Sequence, residues 1–242
     1  MRELTEAGLA LYELDEALLA ELDPDLIVTQ AVCEVCAVSF DDVTAAAARL
    51  PSRPEVISLD PATLEDVLAD MPRLAAAAGV EQAGVDLAQE AARRLSAVEE
   101  AVRAEPGVGV AALEWLDPVF VGGHWVPQMI EMAGGDDVLG QPGQRSRTVE
   151  LADVEGAAPD VVISMPCGYD AARAAQETLE ARDRLAALQA RVVAVDASSY
   201  FSRPGPRLVD GVELLAHILH PGRLPEPPQG RAVELALQAR GA

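Results

Sequence analysis

Five short apolar runs punctuate the chain without alternating: 25–29 (DLIVT), 55–59 (EVISL), 108–113 (VGVAAL), 160–164 (DVVIS) and 191–195 (RVVAV). Each is bounded by Pro, Gly or Asp, and stretches of helical period separate them. Strands apolar on both faces belong to parallel sheets covered by helices, so the pattern predicts an α/β fold. Amphipathic helices are expected over 15–22, 126–133 and 151–156, the second closed by Gly134-Gly135.

The two halves echo one another. Pro24-Asp25 and its strand are answered by Pro159-Asp160 and its strand, and the run from Val56 by the run from Val192, at offsets of 135 and 136 residues. The shared order of helix, Pro-Asp, strand, strand predicts two similar lobes. Between them, residues 80–105 contain no Pro, and Ala83, Leu87, Ala91, Leu95, Val98 and Val102 form one helical stripe. Twenty-six residues reach about 39 Å at ~1.5 Å each, which makes this helix a stiff strut. The strand over 108–113 and the helix over 126–133 map to positions before Met1, so the first lobe is expected to be incomplete. The chain therefore divides into an N-terminal α/β lobe (1–79), a backbone helix (80–105), a C-terminal α/β lobe (106–224) and a tail or helix (225–242).

Charge narrows the function. Among 242 residues, 40 are Asp or Glu and 18 are Lys or Arg, a net charge of -22. Such a field repels phosphate backbones and anionic lipid surfaces, so no nucleic-acid partner is expected. Every cation is Arg, which excludes Schiff-base and P-loop lysine chemistry. No Ser/His/Asp order, HExxH, GxGxxG or GxSxG occurs, and no catalytic residue is assigned. No apolar run approaches the roughly 20 residues that span a bilayer, and residues 1–11 lack the character of a signal peptide. On those grounds the chain is expected to be cytoplasmic unless its true start lies upstream.

Open α/β sheets bind ligands beyond the carboxyl ends of their strands. Those ends deliver Gln30 and Cys33 after the first strand and Trp115, Phe120, His124 and Trp125 after the third. Cys167 and Tyr169 follow the fourth, and Ser199, Tyr200 and Phe201 the last. Aromatics are 3% of the chain, yet both Trp, two of three Tyr and two of three Phe fall here, which argues for a flat-faced ligand. His124 is a candidate metal or cobalt ligand, or a hydrogen-bonded helix cap. Cys33, Cys36 and Cys167 read as partly buried thiols, as ligand contacts, or as part of a metal or redox site. His217 and His220 in the last helix are expected on the surface.

The segments LDEALLAELDPDLIVTQ (14–30), WLDPVFVGGHWVPQMIEMAGG (115–135), APDVVISMPCG (158–168) and VDASSYFSRPGPRLVDGVELLAHIL (195–219) resemble the helical-backbone (class III) substrate-binding proteins of ABC importers. The likeness is to the cobalamin-binding, BtuF-like branch of the iron-siderophore and vitamin B12 group, and it covers nearly the whole chain. It implies two Rossmann-like parallel-sheet lobes joined by one long backbone helix, binding a cobalamin-like corrinoid between them. No cofactor is required and no chemistry is performed. Gln30, Phe120, Trp125, Ser199, Tyr200 and Phe201 would line the cleft. Glu16 and Glu131 would meet Arg residues of an ABC permease, and the protein would act as a monomer. A receptor for an iron-siderophore or haem, with Arg203, Arg207 and Tyr200 as attraction, is the alternative from the same fold. A metal-thiolate module or enzyme using Cys33, Cys36, Cys167 and His124 is the alternative from outside it.

Overall fold

A computed structural model describes residues 14–30 and 38–237. Helix α1 (Glu16–Leu22) starts at Asp15, whose carboxylate accepts from the Leu18 amide, and stops at Asp23 in the left-handed region. It leads into β1 (Leu26–Thr29), then α2 (Phe40–Ala47), capped by Ser39, and β2 (Glu55–Ser58). Strands β1 and β2 pair in parallel, Leu26 opposite Glu55 through Thr29 opposite Ser58. Among the described residues this sheet has two strands, and Val28 remains exposed on it.

Helices α3 (Leu64–Ala77) and α4 (Glu81–Val102) form a hairpin across Gly79, whose φ of 71° suits glycine. Helix α3 opens with a capping box: Thr63 accepts from the Asp66 amide and Asp66 accepts from the Thr63 amide. Its Leu64 amide donates to Gln128 Oε1 of the second lobe at 2.8 Å, and Gln128 Nε2 reaches Glu65 at 2.7 Å. Gly84 lets the hairpin close, because a Cβ there would lie 2.8 Å from the Met71 carbonyl and 2.9 Å from Pro72 Cα. The strut is 22 residues long, about 33 Å, somewhat shorter than the stripe suggests.

That stripe divides. Ala91, Leu95, Val98 and Val102 are buried against the second lobe. Ala83 and Leu87 are exposed, because the first turns of α4 pack only on α3. They face an apolar groove of about 400 Å³ shared with Leu59, Met71, Leu74 and Pro206.

Among the described residues the second sheet has seven strands in the order β6-β4-β3-β7-β8-β9, with β5 joined to the first half of β3. They are β3 (Val108–Leu116), β4 (Val119–Val121), β5 (Gly135–Asp137), β6 (Arg147–Val149), β7 (Val161–Ser164), β8 (Arg191–Val195) and β9 (Ala232–Leu235). Strands β5, β3, β7 and β8 run parallel, β4 and β9 run against them, and β6 pairs antiparallel with β4 and so follows the central direction. The sheet is thus parallel at its centre with antiparallel pairing at its edges. Strands β4, β5 and β6 fall outside the five apolar runs of the sequence, and the stretch 225–242, expected as a tail or helix, contains β9. Edge strands are short and half-solvated, so they lack the apolar run that marks a central strand. Arg191 on β8 pins β9 through Glu234 at 3.0 Å.

Successive residues of the central strands enter different cores. Val110, Ala112, Val161, Ile163, Val193 and Val195 join helices α3, α4, α5 (Val126–Met132) and α10 (Leu208–Leu219). Ala111, Leu113, Val162 and Val192 pack on the opposite face with α6 (Leu151–Ala157) and Leu185 of α8 (Arg182–Leu185). Helix α7 (Ala171–Glu180) covers Ala194. A sheet clad on both faces explains strands with no polar face. His220, expected on the surface, is buried: the turn after α10 folds it under Gly134, whose carbonyl lies 3.1 Å from Nε2.

Candidate functional site

The carboxyl ends of β3, β7 and β8 meet the end of β1 across a cleft of about 240 Å³. Gln30 lines it from the first lobe. Glu114 comes from β3, His124 and Trp125 from the start of α5, and Cys167 from the loop after β7. Phe201 and Ser202 follow the short helix α9 (Ala197–Tyr200), and Ser146 precedes β6.

Backbone contacts fix His124. Its N–H donates to the Gln144 carbonyl at 2.6 Å, its carbonyl accepts from the Gly143 amide at 2.9 Å, and its φ is 52°. The loop approaches so closely at Gly123 that a Cβ there would lie 2.6 Å from the Gln144 carbonyl. Burial, with Arg145 nearby, lowers the His124 pKa, which favours a neutral imidazole. The ring tilts against Trp125, centroids 5.6 Å apart. Trp125 is 7% exposed, and its Nε1–H donates to the Phe201 carbonyl at 2.8 Å. Burial pushes the Glu114 carboxyl up, while hydrogen bonds from Ser146 and the Gly123 amide pull it down.

Trp115, Phe120, Tyr169, Ser199, Tyr200, Glu16 and Glu131 are not among the residues that line this cavity. Trp115 and Tyr169 meet edge to face at 5.5 Å, with the Arg173 guanidinium 3.9 Å above Tyr169. Phe120 stands opposite Trp115 in the β3–β4 pair. The Ser199 amide donates to Asp196 at the start of α9, and Tyr200 lies under Arg231 at 4.6 Å. Cys33 and Cys36 lie outside the described residues. Cys167 is an exposed free thiol. Glu16 pairs with Arg49 at 2.5 Å, and Glu131 is exposed near the end of α5, beside Glu99, Glu105 and Asp136.

Glu114, Ser146, Met165, Ser202 and Pro204 line the cavity without having been selected from sequence. Glu114 carried one usable signal, being the first polar residue after the apolar run of β3, as Gln30 is after β1. Among the described residues, no cluster of three or more His, Cys, Asp or Glu side chains is placed to hold a metal ion. No helix among them is long and apolar enough to cross a membrane.

No protein-family model matches the chain, and no curated protein sequence is significantly similar to it. Solved structures do match in fold. A periplasmic heme-binding protein from Pseudomonas aeruginosa superposes with a TM-score of 0.70 at 17% identity, over 93% of this chain and 81% of that one. The periplasmic vitamin B12 binding protein BtuF of Vibrio cholerae gives 0.65 at 18% identity, over 86% and 78%. An ABC-type Fe3+-hydroxamate transport protein from Saccharomonospora viridis gives 0.62 at 18%, over 86% and 73%. The chain shares the mixed α/β fold of these solved structures, and its cleft lies beyond the carboxyl ends of its strands.

Proposed function

We propose that this chain is the substrate-binding component of an ABC importer and holds a cobalamin-like corrinoid between its lobes without altering it. The observation that carries the reading is the cleft itself. One lobe contributes Gln30, and the other contributes His124 and Trp125 with the nearly buried Met165 and Phe201, alongside the polar groups of Glu114, Ser146 and Ser202. A large flat ligand gains affinity there by burying its ring against apolar side chains, with isolated hydrogen bonds fixing its orientation. The pinned indole of Trp125 means that this wall exists before the ligand arrives, which reduces the ordering cost of binding. Glu131 on the second lobe and Glu16 on the first are the acidic groups that would meet permease arginines, with Glu16 first releasing Arg49.

One observation favours a second cargo, haem or an iron chelate. His124 is held at the cleft by its own backbone, with an imidazole that burial keeps neutral, so it is able to coordinate iron as readily as cobalt. Titration of the full chain with hydroxocobalamin and separately with hemin, followed by absorbance and calorimetry, tests both. The expected result is one hydroxocobalamin per chain, recovered chemically unchanged, with the corrin bands shifted in the wild type and less so in His124→Ala. Absence of heat and of any band shift with hydroxocobalamin overturns the corrinoid reading. Tight stoichiometric hemin binding in its place establishes the second.

A further inference from the structure

We propose that Glu114 is the selectivity residue of this cleft, admitting metal chelates whose rim carries amides and turning away those whose rim carries carboxylates. The inference rests on the reading of the cleft as a metal-chelate site. Among the described residues lining the cavity, Glu114 is the single acid, and no Arg or Lys stands among them. Gln30, Ser146 and Ser202 are neutral, and His124 is held toward its neutral form. The cations in the neighbourhood are outside the lining: Arg145 acts on His124 from an exposed position, and Arg203 and Arg207 are exposed on the loop around Pro204.

The Ser146 hydroxyl and the Gly123 amide beside Glu114 favour its charged form, against the burial that pushes its pKa up. Gly123 cannot retreat, because its loop is packed against the 144–146 turn. A carboxylate offers about four acceptor positions, so two donors leave capacity for a ligand N–H. A ligand amide placed there replaces lost water with a charge-assisted hydrogen bond. A ligand carboxylate placed there sets two like charges in one partly desolvated site, and one of them must take up a proton or move away. The net charge of -22 biases the whole molecule the same way but acts at long range, where salt screens it. A contact at Glu114 persists in salt.

The test measures the affinity of cyanocobalamin and of its three monocarboxylic acids, each with one peripheral amide hydrolysed, at pH 8 in 0.5 M NaCl. In the wild type, at least one acid is expected to bind about tenfold or more weakly than cyanocobalamin. In Glu114→Gln that gap is expected to close to within about threefold, with an unchanged thermal unfolding midpoint. Glu114→Met, similar in length and uncharged, is expected to close it too and serves if the Gln variant does not fold. Equal wild-type binding of all three acids and cyanocobalamin overturns the proposal, as does a gap that survives both substitutions. Failure of cyanocobalamin itself to bind the wild type removes the underlying reading and this inference with it.

Discussion

The indole N–H of Trp125 and the carbonyl of Phe201 are 2.8 Å apart and join the first turn of α5 to the loop behind α9. Both side chains belong to the core that spans the sheet and the helical hairpin, so one wall of the cleft is continuous with the protein interior. Trp125→Phe keeps the aromatic ring but strands a buried carbonyl. The expected cost is about 1–3 kcal/mol in urea unfolding, together with weaker hydroxocobalamin binding. Because Trp125 is a core residue, truncation to Ala is expected to lower stability as well as affinity. A Phe variant as stable as the wild type would show the hydrogen bond to be replaceable.

Gly84→Ala is a test of the hairpin. The added methyl meets the Met71 carbonyl and Pro72 Cα, both backbone atoms that cannot rotate away. Overpacking of this kind is expected to destabilise by about 1–3 kcal/mol, even though Ala is the better helix former. Thermal unfolding measured by circular dichroism reads it, and a rise in the midpoint would mean that the helices separate without loss.

Arg94 on α4 grips α10 with both arms of its guanidinium. Nε donates to Glu213 at 2.8 Å, while Nη2 reaches Glu213 and Asp210 at 2.6 Å each. These carboxylates push the Arg94 pKa further up, so it stays charged at any working pH. Arg94→Met is expected to cost about 1–2 kcal/mol, discounted because the guanidinium is a third exposed. The loss is expected to shrink in 0.5 M NaCl, where the wild-type network is screened. A loss independent of salt would point to packing by the aliphatic stem.

Asp66 governs part of the acid response. Thr63 and the amides of Ala62 and Thr63 hydrogen-bond its carboxylate and hold its pKa below the ordinary 3.8. A lowered folded value stabilises the native state above the unfolded pKa and is lost as pH falls through the folded one. The stability advantage of wild type over Asp66→Asn is therefore expected to be constant at neutral pH, to start shrinking as pH drops below about 3.8 and to vanish only below the lower folded value. Denaturant unfolding at a series of pH values checks this. An advantage that grows on acidification would reverse the sign.

The central strands were legible because burial on both faces leaves a signature of unbroken apolar residues, seen in Val161 to Ile163 and Val192 to Val195. Strands β4, β6 and β9 were not, since three or four residues on a half-solvated edge resemble a turn. Of the aromatics concentrated at strand ends, Trp125 and Phe201 line the cavity and the others do not. Trp115 and Tyr169 consume one another's faces, and Tyr200 is covered by Arg231. Glu114 was hidden because a carboxylate beside a Trp looks like ordinary surface polarity until the fold turns it toward a cavity.

The border between cooperative units follows from where the core ends. From Leu64 onward, the hairpin, α5, α10 and one face of the second sheet share one apolar interior, whereas Val43, Ala46, Ala47, Leu50 and Ile57 are buried outside it, around β1 and β2. Amide protons of those two strands should then exchange with solvent well before those of β3 or β7, through an opening that leaves the larger unit intact. Gln30 sits at the end of the weaker unit while its partners across the cleft sit on the stronger one. A bound ligand should therefore slow exchange most at Leu26 to Thr29, on the jaw whose strands open first.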